Sequence, residues 1–350
     1  MRWSASGNHG PWAAALGLLA ATGVGCRHVS AEDCQKNRPT GHGEYACTVQ
    51  GFPDRDFLLR LPASFDASRS LPLIIAMHGA AGSKEGFNSL TCAGADPTSA
   101  NCLSQVADRE GFLLVYPDGT RIAAATAASR TWNAGGGGSR DLRCENACKE
   151  GVDDVAYFRA LLTEIAAIVP YDSKRVYLTG FSNGAAMSHR LACEAAERIT
   201  AVAPVGGANQ FAGASACNPS RATPILHIHG EADPCWPYAG GLGQCAADQM
   251  NSGPYVSVDE STVGSGAYTG WVGRLGCTST PTQTPVGRHP RDIYSGCRDG
   301  ATVSRVRVLS AGHTWPGGNQ YLSVDRIGGL AQDVSASQLI VDFFKSIPAR

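Results

Sequence analysis

The stretch that decides the fold is "KRVYLTGFSNGAAMSHRLACE", residues 174–194. Its first part is rich in the β-branched and aromatic residues of strands, and its last part consists of good helix formers. Between them, "GFSNG" (180–184) matches the G-x-S-x-G pattern that places a serine on a sharp strand-to-helix turn. A chain with 42 glycines could spell these five letters by chance, so Ser182 needs support from its surroundings.

Apolar segments on both sides of this stretch continue the alternation of strands and helices. Strands are predicted at 46–52, 57–62, 71–79, 111–119, 201–207, 224–230 and 304–310, and helices at 152–169 and 335–347. Continuous apolar runs such as "LPLIIAMHG" are typical of strands buried on both faces of a sheet. The order predicts an α/β fold, with a mostly parallel central sheet and helices on both of its faces. The stretches 120–150 and 235–300 are rich in Gly, Ser, Thr and Pro and are predicted to be long loops pinned by cysteines.

Composition and the N-terminal sequence indicate which partners the protein can bind and where in or outside the cell it works. The net charge is -1 and only 17% of the 350 residues are charged, which argues against a nucleic-acid partner. No apolar run is long enough to span a bilayer. The N-terminus predicts a signal peptide over residues 1–31, followed by a single catalytic domain over 32–350, and therefore a secreted protein. Cleavage after residue 25 would instead leave a lipid anchor at Cys26; we favour release because the third residue before Cys26 is glycine, not a large aliphatic.

Thirteen cysteines support export. Without Cys26 the number is even, which in an exported chain indicates disulfide bonds. No C-x-x-C pair occurs, so we expect neither a metal site nor any other cofactor. Proximity in sequence suggests, without deciding the connectivity, the pairs Cys34–Cys47, Cys92–Cys102, Cys144–Cys148, Cys193–Cys217, Cys235–Cys245 and Cys277–Cys297.

A nucleophilic serine needs a base, and the base needs an orienting carboxylate. Asp233 follows the predicted strand in "LHIHGEADPCWPY", and His313 follows the next strong strand in "LSAGHTWPGG". Both positions are at strand carboxyl ends, where open α/β sheets build their sites. Glu231 is a rival to Asp233 but lies less deep in the loop. Seven other histidines lie before the sheet, on the following helix, in a strand or in an exposed-looking loop: His9, His28, His42, His189, His227, His229 and His289.

Two further features are expected around Ser182. The backbone N–H of Asn183, with that of Ala80 or Ala81 in "MHGAAGS" (77–83), would form an oxyanion hole. Trp132, Trp236 and Trp315 lie in loops near the same end of the sheet. They are candidates for an aromatic wall that binds substrate, and loop packing is an equally open alternative.

With these pieces in place, the chain resembles the exported polyhydroxybutyrate-depolymerase-like esterases of the α/β-hydrolase superfamily, which include feruloyl esterases of the first carbohydrate-esterase family. The resemblance covers roughly residues 45–346 and rests on "YPDGT", "TWNAG", "VDDVAYFRALL", "GFSNGAAMSHRLACE", "HIHGEADPCWPY" and "AGHTWPGG". It implies that Ser182 is the nucleophile, Asp233 the orienting acid and His313 the base. It also implies that Cys277 bonds to Cys297.

The resemblance further implies a substrate class. We expect a monomeric serine esterase that acts on feruloyl or acetyl esters of plant polysaccharides through an acyl-enzyme. A short-chain poly(3-hydroxybutyrate) depolymerase is the alternative, and a non-catalytic ligand-binding protein on a hydrolase fold is the alternative of another class. The loop 235–270 and the segment "DLRCENACKEG" depart from the family pattern, which leaves substrate choice open.

Overall fold

The computed structural model describes residues 34, 39–122, 129–135, 144–211, 217–245, 255–265 and 268–350. The predicted signal peptide and Cys26 lie outside the described residues. The strands are β1 (Gly43–Val49), β2 (Phe52–Leu61), β3 (Leu71–Met77), β4 (Leu113–Pro117), β5 (Thr120–Arg121), β6 (Arg130–Thr131), β7 (Tyr171–Phe181), β8 (Ala201–Val205), β9 (Ile225–Gly230), β10 (Gly264–Ser265), β11 (Tyr268–Thr269), β12 (Thr282–Gln283), β13 (Arg291–Tyr294) and β14 (Val303–Val308). The helices are α1 (Lys84–Thr91), α2 (Leu103–Arg109), α3 (Glu145–Lys149), α4 (Asp154–Ile168), α5 (Asn183–Glu194), α6 (Val258–Thr262), α7 (Trp271–Leu275), α8 (Val324–Ile327) and α9 (Ala336–Ser346).

Ten of the described strands form one sheet in the order β1-β2-β4-β3-β7-β8-β9-β14-β13-β12. The six central strands, from β4 to β14, run parallel to one another, and antiparallel pairs close both edges. The predicted mostly parallel sheet is therefore confirmed. The antiparallel start of the sheet, β1 against β2, also lies where the sequence predicts it.

The side-chain alternation of the central strands distributes the core over both faces of the sheet. In β3, Leu73 and Ile75 join one apolar cluster while Ile74 joins the other. Helices α4 and α5 cover the first face, and α1, α2 and α9 cover the second. Because both faces are covered, strands such as β3 read as uninterrupted apolar runs.

The sheet extends further than the sequence predicts, because part of the stretch 235–300 is not loop. Strands β12 and β13 add two antiparallel strands beside β14, and α6 and α7 also lie within that stretch. The sequence of β13, "RDIY", has little apolar character and becomes a strand through its pairing with β14 and β12. Helices α1 and α2 are likewise additions to the predicted elements.

Six disulfide bonds join the described cysteines, and they are the six pairs that sequence proximity suggests. Each closes a local loop of at most 24 residues in sequence separation. They pin the loops around the sheet instead of linking distant parts of the chain. In the portion of the chain that the structure describes, no helix is long and apolar enough to cross a membrane.

Candidate active site

Ser182 occupies a strained turn between β7 and α5. Its φ of 56° and ψ of -116° lie outside the conformations that a non-glycine residue readily adopts. Such strain costs on the order of 1–3 kcal/mol and persists only where the surroundings enforce it. Here the Ser182 N–H donates to the carbonyl oxygen of Val205 at 3.0 Å, which fixes the turn against the neighbouring strand β8.

Two glycines make this turn possible. A Cβ at Gly184 would lie 2.2 Å from the carbonyl oxygen of Met77, and one at Gly180 would lie 2.4 Å from the carbonyl oxygen of Gly184. Both distances are far below any real contact, and the obstructing atoms are backbone that cannot move aside. The glycines of "GFSNG" are therefore required by the close approach of β7, α5 and the end of β3.

His313 and Asp233 form a buried pair beside the turn. His313 Nδ1 donates to Asp233 Oδ2 at 2.7 Å, and the backbone N–H groups of Cys235 and Trp236 donate to Asp233 Oδ1, each at 2.8 Å. Burial by itself would raise the pKa of Asp233, but the charge of His313 and the hydrogen bonds from His229 and His313 hold it well below its usual value. The carboxylate therefore stays ionised and can orient His313.

The pairing of β9 with β14 brings these two loops together. Gly230 at the end of β9 lies opposite Val308 at the end of β14. A Cβ at Gly230 would lie 2.3 Å from the carbonyl oxygen of Gly312, so the two loops touch through their backbones. Glu231, the rival acid, points instead to the surface, 3.7 Å from Arg307. The structure thus joins Asp233 and not Glu231 to His313.

The ring of His313 lies next to the turn that carries the serine. Its centroid is 4.7 Å from that of Phe181, the residue before Ser182, and it approaches Gly206 beyond β8. Because Nδ1 donates to Asp233, a neutral His313 has an acceptor at Nε2. The side chains of Ser182 and His313, both of which the structure describes, are not hydrogen-bonded to each other. Such catalytic contacts are often long in a free enzyme and shorten when substrate binds.

A cavity of about 370 Å³, including its opening to solvent, lies over Ser182. Its lining includes Ala80, Asn183, Gln210, Trp236 and Tyr255. The backbone N–H groups of Ala80 and Asn183 donate to no other described residue, so both are free to bind a ligand. Ala81 is exposed, with φ of 60°, and is not part of the lining. Of the two alternatives for the second oxyanion donor, the geometry favours Ala80.

These features together are the architecture of the α/β-hydrolases. The serine lies on a strained strand-to-helix turn of a parallel sheet, and the carboxylate and the histidine follow at the ends of later strands. The family model described as "Phospholipase/Carboxylesterase", an α/β-hydrolase family, matches residues 152–251, which include β7, α5 and β9. The chain has the α/β-hydrolase fold, and the matched part of it is similar to phospholipases and carboxylesterases.

Curated relatives of the chain include several esterases. The hydrolase is 27% identical over 261 residues to Feruloyl esterase B of Piromyces equi, covering 74% of this chain and 42% of that protein. It is 32% identical over 128 residues to the bifunctional acetylxylan esterase/xylanase XynS20E of Neocallimastix patriciarum, covering 37% and 16%. It is 24% identical over 295 residues to Feruloyl esterase D of Neurospora crassa, covering 82% and 83%. The chain thus spans less than half the length of the first two proteins.

The Asn183 side chain, for which the sequence suggests no role, holds the loop after β6 in this α/β-hydrolase. Asn183 Oδ1 accepts from the backbone N–H of Trp132 at 2.8 Å and from the Thr131 hydroxyl at 3.2 Å. Asn183 Nδ2 donates to the carbonyl oxygen of Trp132 at 3.1 Å. The indole of Trp132 in turn donates to the carbonyl oxygen of His78 at 2.9 Å, which braces the loop that carries Ala80.

The three candidate tryptophans have different positions in the hydrolase. Trp132 is buried in the contacts just described, and Trp315 is 0% exposed, with its ring against Phe87 and its indole donating to Ser337. Neither lines the cavity, so their burial favours the alternative of loop packing over substrate binding. Trp236 does line it, and its ring lies 4.4 Å from that of Tyr255. Only Trp236 remains a candidate for the aromatic wall.

One group of described residues brings together atom types that could ligate a metal: Asp233, Cys235 and His313, with candidate atoms within 4.8 Å of one another. The sulfur of Cys235 is bonded to Cys245, so it offers no thiolate. The other two side chains already hydrogen-bond to each other. This group does not form a metal-binding set.

The structure also places behind Asp233 three histidines that the sequence puts on the helix after Ser182 and in a strand, and that are not among the predicted site residues. His189, His227 and His229 are all buried, and His229 Nε2 is 3.3 Å from Asp233 Oδ2. Residues two apart on a strand share a face, so "HIH" in β9 signals that His227 and His229 point the same way. The approach of His189 from α5 depends on tertiary packing, which no local pattern reveals.

Proposed function

We propose that this α/β-hydrolase is an exported serine esterase that cleaves carboxylic esters through an acyl-enzyme. One observation carries the proposal: Ser182, on a strained turn, opens into a cavity beside the buried His313–Asp233 pair. A non-catalytic binding protein would have no need for the strain at Ser182 or for an ionised carboxylate held behind a histidine.

The proposed reaction begins when His313 Nε2 takes the proton of the Ser182 hydroxyl and Oγ attacks the ester carbonyl carbon. The N–H groups of Asn183 and Ala80 bind the oxyanion that forms. The intermediate collapses, and His313 gives its proton to the leaving alcohol. Water, deprotonated by His313, then attacks the acyl-enzyme, and the acid leaves as Ser182 regains its proton.

For the substrate, we propose feruloyl or acetyl esters of plant polysaccharides. Two relatives are named feruloyl esterases, and a third is named an acetylxylan esterase/xylanase. Trp236 and Tyr255 give the cavity an aromatic side, and Gln210 adds a polar group. A planar phenolic acyl group can stack on such a surface. The six disulfides support the proposal that the protein works outside the cell.

The purified, disulfide-bonded protein should be assayed on methyl ferulate, acetylated xylan and hydroxybutyrate oligomers. We expect the highest kcat/KM on methyl ferulate or acetylated xylan. A preference for hydroxybutyrate oligomers would favour the polyester depolymerase. Absence of turnover on all three and on p-nitrophenyl acetate would contradict the esterase assignment.

A further inference from the structure

Three buried histidines that the proposed reaction does not use form a continuous hydrogen-bonded chain behind Asp233. His189 Nε2 on α5 is 3.3 Å from His227 Nδ1 on β9. His227 Nε2 is 3.1 Å from His229 Nδ1 on the same strand. None of the three side chains is more than 1% exposed. This histidine chain therefore links α5, the helix that follows Ser182, to β9, the strand that leads to Asp233.

At each end of the histidine chain lies a partner that can act only as a hydrogen-bond donor or only as an acceptor. At one end, the indole Nε1 of Trp271, the first residue of α7, is 2.9 Å from His189 Nδ1. At the other end, His229 Nε2 is 2.8 Å from the carbonyl oxygen of Trp236 and 3.3 Å from Asp233 Oδ2. That carboxylate oxygen also accepts the hydrogen bond from His313.

These partners determine which ring nitrogen of each histidine carries its proton. An indole N–H can only donate, so His189 Nδ1 must accept and the proton of His189 lies on Nε2. His189 then donates to His227 Nδ1, and His227 Nε2 donates to His229 Nδ1 by the same reasoning. His229 Nε2–H therefore points at two acceptors, which is what the carbonyl and the carboxylate require. One tautomer for all three rings satisfies the contacts named above, and the backbone of Gly207 is a further hydrogen-bond partner of His189.

The same reasoning excludes a charged histidine in the chain. If His229 were protonated, its Nδ1–H would face the Nε2–H of His227. Reversing His227 and His189 would relieve that clash but would set a proton on His189 Nδ1 against the indole N–H of Trp271. Burial lowers the pKa of His189 to about 3, and burial and the other histidines lower that of His227 well below its ordinary value. The negative charge of Asp233 lies 3.3 Å from His229 Nε2, the nitrogen that already carries the proton in this order, and Tyr238 and Arg305 are the other titratable groups beside the rings.

We propose that Trp271 is a positioning residue that acts through His189, His227 and His229. Its indole N–H sets the tautomers of the three rings and directs the His229 Nε2–H at the Trp236 carbonyl and at Asp233, so that the carboxylate of Asp233 is hydrogen-bonded by both His229 and His313. The role of Asp233 in orienting His313 rests on the proposed function. The positions of the protons on the three histidines do not rest on it, since they follow from the contacts.

The first test is the proton position itself. In protein with ¹⁵N-labelled histidine, the imidazole nitrogen shifts should show the proton on Nε2 and a bare Nδ1 for all three rings. Trp271→Phe removes the donor, and we expect reversed or mixed tautomers in those rings. Tyr116→Phe removes another buried donor, to Asn88, and should leave the pattern intact. Nδ1–H tautomers in the wild type, or an unchanged pattern in Trp271→Phe, would overturn the proposal.

The second test is kinetic and applies if the wild type hydrolyses esters. Trp271→Phe should lower kcat about tenfold with little change in KM, as expected for weakening one hydrogen bond to a charged group. Tyr116→Phe should retain wild-type kcat. Equal kcat in the two variants would contradict the positioning role, while failure of the esterase proposal would appear as no turnover in the wild type with the tautomer pattern still measurable.

A third comparison separates positioning from simple packing. His227→Gln keeps one acceptor and one donor, whereas His227→Leu keeps neither. We expect kcat in the glutamine variant to exceed that in the leucine variant, with similar KM. His289→Gln is the control. His289 is also buried, but it hydrogen-bonds to Asp333 and does not contact the three histidines, so this variant should have wild-type kcat. A leucine variant as active as the glutamine variant would reduce the chain to packing and overturn the proposal.

Discussion

His313 Nδ1 donates a 2.7 Å hydrogen bond to Asp233 Oδ2 across 80 residues of sequence. The carboxylate is buried and its pKa is held well below its usual value despite that burial, so it remains charged under the conditions in which an esterase would work. This fixed charge is what would stabilise His313 when it carries the proton of Ser182.

Asp233→Asn should keep the fold but lower kcat by up to about 10⁴-fold, because an amide can present an N–H to His313 and hold the wrong tautomer. The measurement is kcat on a p-nitrophenyl ester, with circular dichroism as a check of folding. Glu231→Gln is the matched control, since Glu231 lies at the surface beside Arg307, and it should retain wild-type kcat. Equal activity of the two variants would contradict the role of Asp233.

Gly184→Ala should disrupt both folding and activity. Its Cβ would lie 2.2 Å from the carbonyl oxygen of Met77 and 2.5 Å from that of His78, where only backbone movement can make room. Overpacking of this kind costs roughly 1–3 kcal/mol or more. Denaturant unfolding measures the loss. Gly86→Ala in α1 is the control, because its Cβ would meet only the Ser83 hydroxyl at 3.4 Å and should be tolerated.

Trp236→Ala should change acyl-group preference. If the Trp236 ring forms the aromatic side of the cavity, its removal should lower kcat/KM on methyl ferulate by roughly tenfold relative to p-nitrophenyl acetate. Trp315→Ala should cost about 3–5 kcal/mol of stability through a core cavity but leave the ratio of the two substrates unchanged. A constant ratio in Trp236→Ala would remove the support for an aromatic wall.

Acid should destabilise the fold through histidines buried in neutral form. Burial lowers the pKa of His78 to about 4 and that of His189 to about 3. The unfolded chain takes up these protons near pH 6.5 while the folded protein does not, so stability falls as the pH drops from about 6.5 toward 4. Each histidine contributes a slope of about 1.4 kcal/mol per pH unit. Asp233 adds little above pH 4.5, because the pKa of an aspartate in the unfolded chain is about 3.9.

Urea unfolding at pH 7, 5.5 and 4.5 measures this loss. His78→Gln, which can still donate to the Gly79 carbonyl and accept from the Gly119 N–H, should reduce the slope by the share of one histidine. A free energy of unfolding that does not change between pH 7 and 4.5 would show that these histidines are not buried in neutral form.

The sequence predicts the centre of this fold better than its edges. β3 is evident because a strand buried on both faces must be apolar throughout, and the turn at Ser182 is evident because only glycine fits at positions 180 and 184. Strand β13 has no such signature, since its pairing with β14 and β12 makes it a strand. Local pattern cannot show that β13 and α7 replace a long loop.

The candidate site shows the same division. Asp233 and His313 could be found because the carboxyl ends of β9 and β14 are where such a fold places them. The core positions of Trp132 and Trp315 could not be predicted, because the sequence around a tryptophan in a loop does not show whether its ring faces the cavity or the core. The approach of Trp271 to His189 spans 82 residues and follows from packing alone.

The central claim is that Ser182 is the nucleophile, and its removal tests that claim most directly. Hydrolysis of methyl ferulate and of a p-nitrophenyl ester should be measured for the wild type and for Ser182→Ala, with both proteins shown to be folded at the same pH. The account predicts a loss of several orders of magnitude in kcat on both substrates, because the nucleophile and its base act as a unit. Turnover by Ser182→Ala close to that of the wild type would contradict it.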